Sequence, residues 1–355
     1  MPESQPHRAD HRSPEQPPLM RAVLFDQVEP GSDELGLVVR HIERPEPGPG
    51  EIRLRVSAYG LNQADLLLMA GRHYSTSDLP MRIGYEASGV VDAVGEGVTC
   101  FSAGDRVSTI PNVDGPYSCG NEYALARQEF TTPWPEGWSA AEAAGFWMQY
   151  LTPYYPMREL STIGEGSYVL ITAASGGTGL GAIRVAKALG ATVVTSSRTS
   201  AKRDFLLDQG ADAVIATEEE AFAPALLAAT DGHGADLVLD GIGGGFIAEY
   251  VEAMAMNGVA YIYGGLSGTN DVAFPILPLV QRRAGVVGYS LINEVRDAGR
   301  LRRGVEWVLE RIADGTFGRP VIDSVHDLPE VGEAYARMRS GAQRGKIIVQ
   351  VSEGV

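Results

Sequence analysis

Cysteine is scarce in this chain of 355 residues. Only Cys100 and Cys119 occur, and the sequence has no C-x-x-C pair. A disulfide framework and a cysteine-rich structural zinc site both need more thiols than this, so neither can be built. We interpret the two residues as free thiols. Such sparing use of cysteine is typical of a reducing compartment, and we expect a cytoplasmic protein.

Long apolar runs and an excess of positive charge are also missing. No run of about 18 apolar residues occurs, and the N-terminus carries prolines, histidines and charges where a signal peptide needs an apolar core. The sequence therefore supports neither membrane insertion nor export. The formal net charge is -16. Because nucleic acids and anionic membranes repel an acidic protein, we expect it to bind neither.

The chain does contain enough apolar sequence for two domains, with 44% hydrophobic and 21% charged residues. Residues 1–19 hold five prolines and almost no large apolar side chains, which predicts a disordered leader. Alternating segments at 21–25 and 51–57 and glycine-broken segments at 84–95 and 104–107 indicate the short antiparallel strands of a small β-barrel. A helical run begins after Ser139, which forms a predicted capping box with Glu142 and marks a new domain.

From Tyr168 onward the chain repeats strand, turn and helix. Six apolar runs separated by helical patterns are typical of a parallel sheet that is buried on both faces: 168–172, 192–196, 213–216, 236–240, 259–263 and 286–290. They predict an α/β Rossmann domain with a doubly wound six-stranded parallel sheet. A long helix is expected from about 293 to 314, followed by strands that rejoin the barrel. The predicted domains are 20–148 with 295–355 for the barrel, and 149–294 for the Rossmann sheet.

A glycine-rich turn, Ala173-Ala-Ser-Gly-Gly-Thr-Gly-Leu-Gly181, follows the first of these strands and leads into a helix predicted from Ala182 to Leu189. A bound pyrophosphate needs this order of strand, turn and helix, with the helix N-terminus facing the anion. Gly176 would let the backbone approach the phosphates, and Gly179 would permit close packing of the helix. The turn departs from G-x-G-x-x-G at Ala174. We predict that it binds a dinucleotide through Ser175, Gly176, Gly177, Thr178 and Gly179.

The end of the second strand, Ser196-Ser-Arg-Thr-Ser-Ala-Lys-Arg203, contains no acidic residue. An acid at this place would bind a ribose 2′-hydroxyl, whereas Ser197, Arg198 and Lys202 can bond and neutralise a 2′-phosphate. NADPH is therefore the predicted cofactor, although Lys202 and Arg203 could also be solvated cations at a helix start. Further glycine clusters lie at strand ends, where an open α/β sheet binds its ligand, and add predicted cofactor contacts at Gly264, Gly265, Leu266, Gly288 and Tyr289.

Seven motifs in unbroken order resemble the medium-chain dehydrogenase/reductase superfamily, and among its branches the zinc-free quinone oxidoreductases, also called zeta-crystallin-like. The resemblance covers about residues 20–350. The motifs are Gly60-Leu-Asn-Gln-Ala-Asp65, Gly84-Tyr-Glu-Ala-Ser-Gly89, Val94-Gly-Glu-Gly-Val98, Gly104-Asp-Arg-Val107, Tyr150-Leu-Thr152, Leu170-Ile-Thr-Ala-Ala-Ser-Gly-Gly-Thr-Gly179 and Gly345-Lys-Ile-Ile-Val349.

The resemblance implies a GroES-like β-barrel catalytic domain, a Rossmann domain and an NADPH cleft between them. It also implies a homodimer or homotetramer that associates through the Rossmann domain. Asn62 and Tyr85 stand where zinc-dependent relatives place a Cys and a His ligand, and Glu86 alone cannot form a zinc site, so no metal is expected.

Several site residues follow from the same resemblance. Asn62 is expected to act in catalysis beside the nicotinamide, Thr152 to contact the carboxamide, and Tyr74 to line the substrate cleft. Tyr74 could give the substrate oxygen a proton or serve only as an aromatic wall. Asp65 is more readily explained as a buried hydrogen-bonding residue than as a base. Lys346 could reach a cofactor phosphate or simply end a strand.

The function indicated is NADPH-dependent, zinc-independent hydride transfer to a small-molecule substrate, either a quinone or an α,β-unsaturated carbonyl compound. Three alternatives remain open. One is a trans-acting enoyl reductase or other tailoring enzyme, another is a zinc alcohol dehydrogenase with an unforeseen ligand set, and the third is an NADPH-binding protein without turnover.

Overall fold

The computed structural model describes residues 17–26, 35–73, 79–112, 114–269 and 271–352. The strands in these ranges are β1 Leu19–Phe25, β2 Leu37–Glu43, β3 Glu51–Gly60, β4 Met81–Arg82, β5 Glu86–Val94, β6 Arg106–Thr109, β7 Tyr123–Arg127, β8 Thr131–Pro133, β9 Tyr168–Ile171, β10 Thr192–Ser197, β11 Ala213–Ala216, β12 Ala235–Asp240, β13 Met254–Ile262, β14 Gly285–Gly288, β15 Ile322–Asp327 and β16 Lys346–Gln350. The helices are α1 Gln63–Met69, α2 Ala140–Ala143, α3 Trp147–Tyr154, α4 Gly177–Ala188, α5 Arg203–Asp208, α6 Phe222–Ala229, α7 Phe246–Val251, α8 Leu277–Arg282, α9 Leu291–Val295, α10 Ala298–Ala313 and α11 Val331–Arg339.

The first domain is built mainly from antiparallel strands. Its larger sheet has the order β15-β16-β3-β5-β6-β8, with β7 also pairing with β3, and its smaller sheet has the order β2-β1-β4. Strand β3 lies at the centre and is buried at every position except Glu51 and Arg55. The C-terminal strand β16 pairs antiparallel with β3, so the end of the chain returns to this domain.

The second domain contains a six-stranded parallel sheet in the order β11-β10-β9-β12-β13-β14. The strand order reverses between β9 and β12, and an open α/β sheet binds its ligand at such a switch point, outside the carboxyl ends of the strands. The six predicted apolar runs correspond to these six strands. Their continuous apolar character is explained by burial from both sides, since Val169, Leu170 and Ile171 of β9 have no solvent exposure.

Several helix boundaries differ from the predictions. Helix α4 begins at Gly177 rather than Ala182, because the glycines pack as the first turn of the helix and do not precede it. The helical run after Ser139 is two helices, α2 and α3, and the Ser139–Glu142 capping box is confirmed, with Glu142 N donating to Ser139 Oγ at 3.3 Å. The long helix predicted from 293 is α9 followed by α10, with Asp297 capping α10.

Helix α10 packs against α3 and α9. Leu301, Trp307 and Val308 belong to the same hydrophobic cluster as Val169 and Ile171 of β9. By packing, α10 therefore extends the second domain, and the chain returns to the first domain at β15. Of the predicted leader, residues 1–16 lie outside the described residues and Leu19 begins β1. Within the described ranges no helix has both the length and the apolar character needed to cross a bilayer.

Candidate active site

A cleft of 1190 Å³ lies between the two domains, along the carboxyl ends of the parallel strands. The structure brings every described residue of the predicted site to its wall. These residues are Asn62, Thr152, Ser175, Gly176, Gly177, Thr178, Gly179, Ser197, Arg198, Lys202, Gly264, Gly265, Leu266, Gly288 and Tyr289. Tyr74 lies outside the described residues. The individual roles of the residues remain predictions, but their meeting in one cleft is a property of the fold.

Two glycines of the turn after β9 differ in their surroundings. Gly176 is the N-cap of α4, with φ at -83°, and a Cβ built on it would meet nothing within 4 Å. A Cβ on Gly179 would lie 2.4 Å from Ala174 O and 2.5 Å from Ala174 Cα. Gly176 therefore leaves open space at the N-terminus of a helix, where an anion is stabilised, and Gly179 allows the helix to close on the turn.

A cluster of positive charge surrounds the end of β10. Lys202 Nζ donates to Ser175 Oγ at 2.8 Å, to Gly341 O at 2.9 Å and to Gln343 O at 3.0 Å. Burial and the neighbouring Arg198 lower the pKa of Lys202. Because its three hydrogens are taken by the protein, Lys202 offers a ligand mainly its charge.

The guanidinium of Arg198 lines the cleft and has no hydrogen-bond partner among the described residues, so its donors are available to an anion. Ser197 Oγ donates to Thr199 O at 2.6 Å and can still accept a hydrogen bond. Arg339, the last residue of α11, and Gly341 and Gln343 from the segment after it also line the cleft. The sequence carries no local signal for these three, since they reach the cleft only because β16 returns to the first domain.

Asn62 lies at the other end of the cleft, immediately before α1, and is 6% exposed. Its Nδ2 donates to Gly60 O at 3.1 Å and to Glu86 Oε1 at 3.2 Å, and its Oδ1 accepts from Lys346 Nζ at 2.6 Å. An ammonium group can only donate, so Lys346 fixes the orientation of the amide. One lone pair of Asn62 Oδ1 remains for a ligand.

Lys346 and Glu86 form a buried ion pair with Nζ and Oε1 2.5 Å apart, and their side chains are 5% and 1% exposed. Glu86 Oε2 also accepts from Met148 N at 2.9 Å. Lys346 lines the cleft. The sequence alone did not decide whether this residue reaches the site or only ends a strand. Its pairing with Glu86 could not be found from spacing, because 260 positions separate the two in the chain.

Asp65 lies beneath this network and does not line the cleft. It has no solvent exposure, and its carboxylate accepts from Asn62 N at 3.0 Å and from Gly84 N at 3.1 Å. Burial raises the pKa of Asp65 to about 6, although these two backbone bonds oppose the increase. The contacts are those of a buried residue that holds the start of α1 against the turn before β5.

Three hydroxyl groups of cleft-lining residues are buried without a partner among the described residues, Thr152 Oγ1, Ser196 Oγ and Tyr289 Oη. Buried polar groups are rarely left unpaired, and a ligand in the cleft is one source of the missing bonds. Thr152 lies in α3 at the same end as Asn62, and Ser196 lies beside the basic cluster. The donor set thus fits a dinucleotide, with hydroxyl and amide groups at one end, an open glycine turn in the middle and cations at the other.

The wall beyond Asn62 is largely apolar. It includes Leu66 and Leu67 of α1, Met148 of α3, and Leu291 and Ile292 of α9. This lining suits a substrate whose reacting part is flat and weakly polar.

Tyr85 is buried at the same end, and its ring centroid lies 6.2 Å from that of His73. In the part of the chain that the structure describes, no three His, Cys, Asp or Glu side chains come together as a metal site would require.

Family models and known proteins match both domains that form the cleft. The family model for the alcohol dehydrogenase GroES-like domain matches residues 48–154, and the model for zinc-binding dehydrogenases matches residues 177–310. A mycocerosic acid synthase-like polyketide synthase of Mycolicibacterium smegmatis is 31% identical over 311 residues, which are 88% of this chain and 14% of that protein. The chain thus spans only about a seventh of the length of that relative.

Solved structures align over nearly the whole chain. The quinone oxidoreductase of Pseudomonas syringae pv. Tomato DC3000 has a TM-score of 0.84 and 26% identity, and the alignment covers 94% of this chain and 100% of that one. The Escherichia coli quinone oxidoreductase complexed with NADPH has a TM-score of 0.83 and 26% identity, covering 93% of this chain and 100% of that one.

A GroES-like domain joined to a six-stranded Rossmann sheet, with a cleft between them, defines an oxidoreductase fold, and the predicted fold class is confirmed. The chain belongs to the medium-chain dehydrogenase/reductase superfamily, in its quinone oxidoreductase branch.

Proposed function

We propose that this protein is an NADPH-dependent, zinc-independent oxidoreductase that delivers hydride to a quinone or an α,β-unsaturated carbonyl compound. The observation that carries the proposal is the order of groups along one cleft. The unpaired Thr152 hydroxyl and the oriented Asn62 amide lie at the apolar end, an open glycine turn lies in the middle, and Arg198 with Lys202 lies at the far end.

The cofactor would lie along the cleft, with its nicotinamide at the apolar end and its 2′-phosphate at the basic end. Arg198 would bond the 2′-phosphate with the charge of Lys202 behind it, and the turn at Gly176 with the first turn of α4 would hold the pyrophosphate. The free lone pair of Asn62 Oδ1 and the hydroxyl of Thr152 are able to bond a carboxamide. When bound, a reduced nicotinamide supplies the hydride.

The acceptor would be an electron-poor carbon held against the apolar wall of α1 and α9. Lys346, the buried cation at this end, is fully paired with the protein and so is not available to polarise an alcohol or a simple ketone. A conjugated acceptor suits such a site, since its negative charge is spread over the product enolate or phenolate. A polar group such as Tyr74, or water, would then return a proton to the oxygen.

The substrate proposal is tested by following NADPH oxidation with a panel of quinones, enones and enoyl thioesters. Turnover of at least one class supports it. Tight NADPH binding with no turnover on the whole panel would favour the non-catalytic alternative. Elemental analysis tests the metal proposal separately, because one tightly bound zinc per chain would refute it.

The cofactor proposal is tested with a matched pair of variants, Arg198→Gln and Arg203→Gln. Arg203 lies five residues further along but is turned away, with its guanidinium bonded to Val214 O at 2.6 Å and Glu220 Oε1 at 2.6 Å. Loss of one charged hydrogen bond to a phosphate costs about 1.5–3 kcal/mol, so we expect Arg198→Gln to weaken NADPH binding by tenfold or more. NADH binding should hardly change, and Arg203→Gln should leave the preference as it is. Equal effects on both cofactors would show that the 2′-phosphate lies elsewhere.

A trans-acting enoyl reductase is a second candidate, and the similarity to polyketide synthases favours it. Such an enzyme has the same cofactor end and differs only in the acceptor it admits. In the panel it would reduce enoyl thioesters in preference to quinones of similar size.

We also propose that the chain forms a homodimer or homotetramer through the Rossmann domain. Strand β14 is the last strand of the parallel sheet, and helix α8 with its N-cap, which packs beside β13, carries large exposed apolar side chains. Ile276, Leu277 and Val280 are 66%, 71% and 68% exposed. A second copy that covers this face would bury the apolar groups and pair the edge strand.

A further inference from the structure

Lys346 begins β16, and its ammonium group is completely used by the protein. Its three hydrogens match three acceptors, Glu86 Oε1 at 2.5 Å, Asn62 Oδ1 at 2.6 Å and Leu61 O at 3.0 Å. No hydrogen is left for a phosphate. The side chain is therefore neither a phosphate ligand nor an idle strand end.

The aliphatic stem of Lys346 runs through a channel made of glycines. A Cβ on Gly60 would lie 3.1 Å from Lys346 Cε, one on Gly145 would lie 2.8 Å from Cγ, and one on Gly177 would lie 2.9 Å from Cδ. The three glycines come from the end of β3, the link between α2 and α3, and the first turn of α4. Any side chain at these positions would have to share its space with the lysine stem.

The backbone beside Lys346 is attached to the glycine-rich turn. Gly345 N donates to Ser175 O at 2.8 Å, and Gly345 forms an isolated parallel bridge with Gly176. Lys346 thus starts at the turn proposed to hold the pyrophosphate and ends at the amide proposed to face the nicotinamide.

We propose that Lys346 is a positioning residue that holds the Asn62 amide in the orientation that receives the nicotinamide, at a set distance from the glycine turn. The inference rests on the proposed function. It predicts that Lys346 matters for the nicotinamide half of the cofactor and not for the adenosine half, although it touches neither.

The main difficulty in testing this role is that Glu86 would be left as a buried unpaired carboxylate. Breaking one side of a buried ion pair is strongly destabilising, so Lys346→Met alone would report on stability as much as on positioning. The double variant Lys346→Met with Glu86→Gln removes both charges and nearly preserves the volumes. It tests positioning without leaving a buried charge.

The experiment measures two affinities by calorimetry, for NADPH and for 2′-phospho-ADP-ribose, which lacks the nicotinamide. For the double variant we expect NADPH to bind about tenfold more weakly, the loss of about one oriented hydrogen bond, and 2′-phospho-ADP-ribose to bind as in the wild type. Adding Asn62→Leu to the double variant should cause little further loss, because both changes act on the same contact.

A second variant, Gly145→Ala, keeps all charges and crowds the lysine stem most, since the new methyl group would lie 2.8 Å from Lys346 Cγ and 3.2 Å from Ile348 Cδ1. Gly145 does not line the cleft, so the same selective loss of NADPH affinity is expected, to a smaller degree. Unchanged NADPH affinity in the double variant would overturn the inference, and so would equal loss of both ligands, which is the mark of a merely structural role. If the wild type binds 2′-phospho-ADP-ribose but not NADPH, or neither, the proposed function fails first and the inference fails with it.

Discussion

We predict opposite effects when Gly179 and Gly176 of the dinucleotide turn are each replaced by alanine. In Gly179→Ala the new methyl group would lie 2.4 Å, 2.5 Å and 2.6 Å from Ala174 O, Cα and C. These are backbone atoms, which cannot swing aside as a flexible side chain can. Overpacking of this kind costs about 1–3 kcal/mol, and the better helix propensity of alanine returns up to about 1 kcal/mol. We expect a net loss of about 1–2 kcal/mol in the free energy of unfolding.

Gly176→Ala is the matched control. The backbone angles of Gly176, φ -83° and ψ 171°, are ordinary for alanine, and its methyl group would meet nothing within 4 Å. Stability should therefore change by less than about 0.5 kcal/mol, because the gain from a stiffer unfolded chain offsets the poorer N-cap. The methyl group would, however, occupy the open space beside the N-terminus of α4. If the pyrophosphate lies there, NADPH affinity should fall by about tenfold or more.

Urea denaturation gives the stabilities, and calorimetric titration gives the affinities. We expect Gly179→Ala to be less stable than the wild type, and Gly176→Ala to be as stable as the wild type but to bind NADPH more weakly. Wild-type affinity in Gly176→Ala would show that no phosphate approaches this backbone. Wild-type stability in Gly179→Ala would show that the close approach to Ala174 places no constraint on the fold.

Three further predictions concern the buried acid, the thiols and the exposed apolar face. Burial raises the pKa of Asp65 to about 6, so between about pH 4 and pH 6 the folded protein keeps a proton that the unfolded chain loses. As the pH rises through this range, the free energy of unfolding of the wild type should therefore fall by up to ~3 kcal/mol relative to Asp65→Asn, as measured by urea unfolding. Cys100 is exposed, whereas burial raises the pKa of the Cys119 thiol to about 12, so a thiol reagent should modify one cysteine per native chain and two after denaturation. Leu277→Glu with Val280→Glu should give a stable monomer in light scattering, because both side chains are exposed in the single chain.

A different result would contradict each of these three predictions. If the wild type gains stability relative to Asp65→Asn between pH 4 and pH 6, the carboxyl has a lowered pKa, contrary to its buried surroundings. Rapid modification of both thiols in the native protein would place Cys119 at the surface. An unchanged molecular mass for the charged double variant would move the proposed interface away from α8 and β14.

The fold was predictable where the signals are local. The six apolar runs and the glycine turn are read within short windows, and burial of a strand on both faces leaves a plain imprint on its composition. The Ser139–Glu142 capping box is equally local and is present in the structure. Helix α4 was placed five residues too late, because glycines usually argue against helix and here the helix starts on them to pack closely against Ala174.

The site was predictable in part for the same reason. Ser175 to Gly179 lie within one turn, and Arg198 and Lys202 follow the next strand, so their place at the edge of the sheet comes from the sheet order. Arg339 and Gln343 could not be placed, since their position depends on how α11 and the segment after it cross the first domain. Tyr74 lies outside the described residues, so its predicted role stays a prediction.

Local patterns along the chain thus predicted the two folding units and the dinucleotide turn, and the family resemblance marked Asn62 and Tyr85 as the positions where zinc-dependent relatives have metal ligands. Contacts between distant segments decided what Asn62 can do. Its amide is oriented by Lys346, which lies 284 positions away and is held by Glu86 at the bottom of the cleft. A buried cation is stable only where several hydrogen-bond acceptors surround it. Here the acceptors come from distant parts of the chain, so only the tertiary structure brings them together.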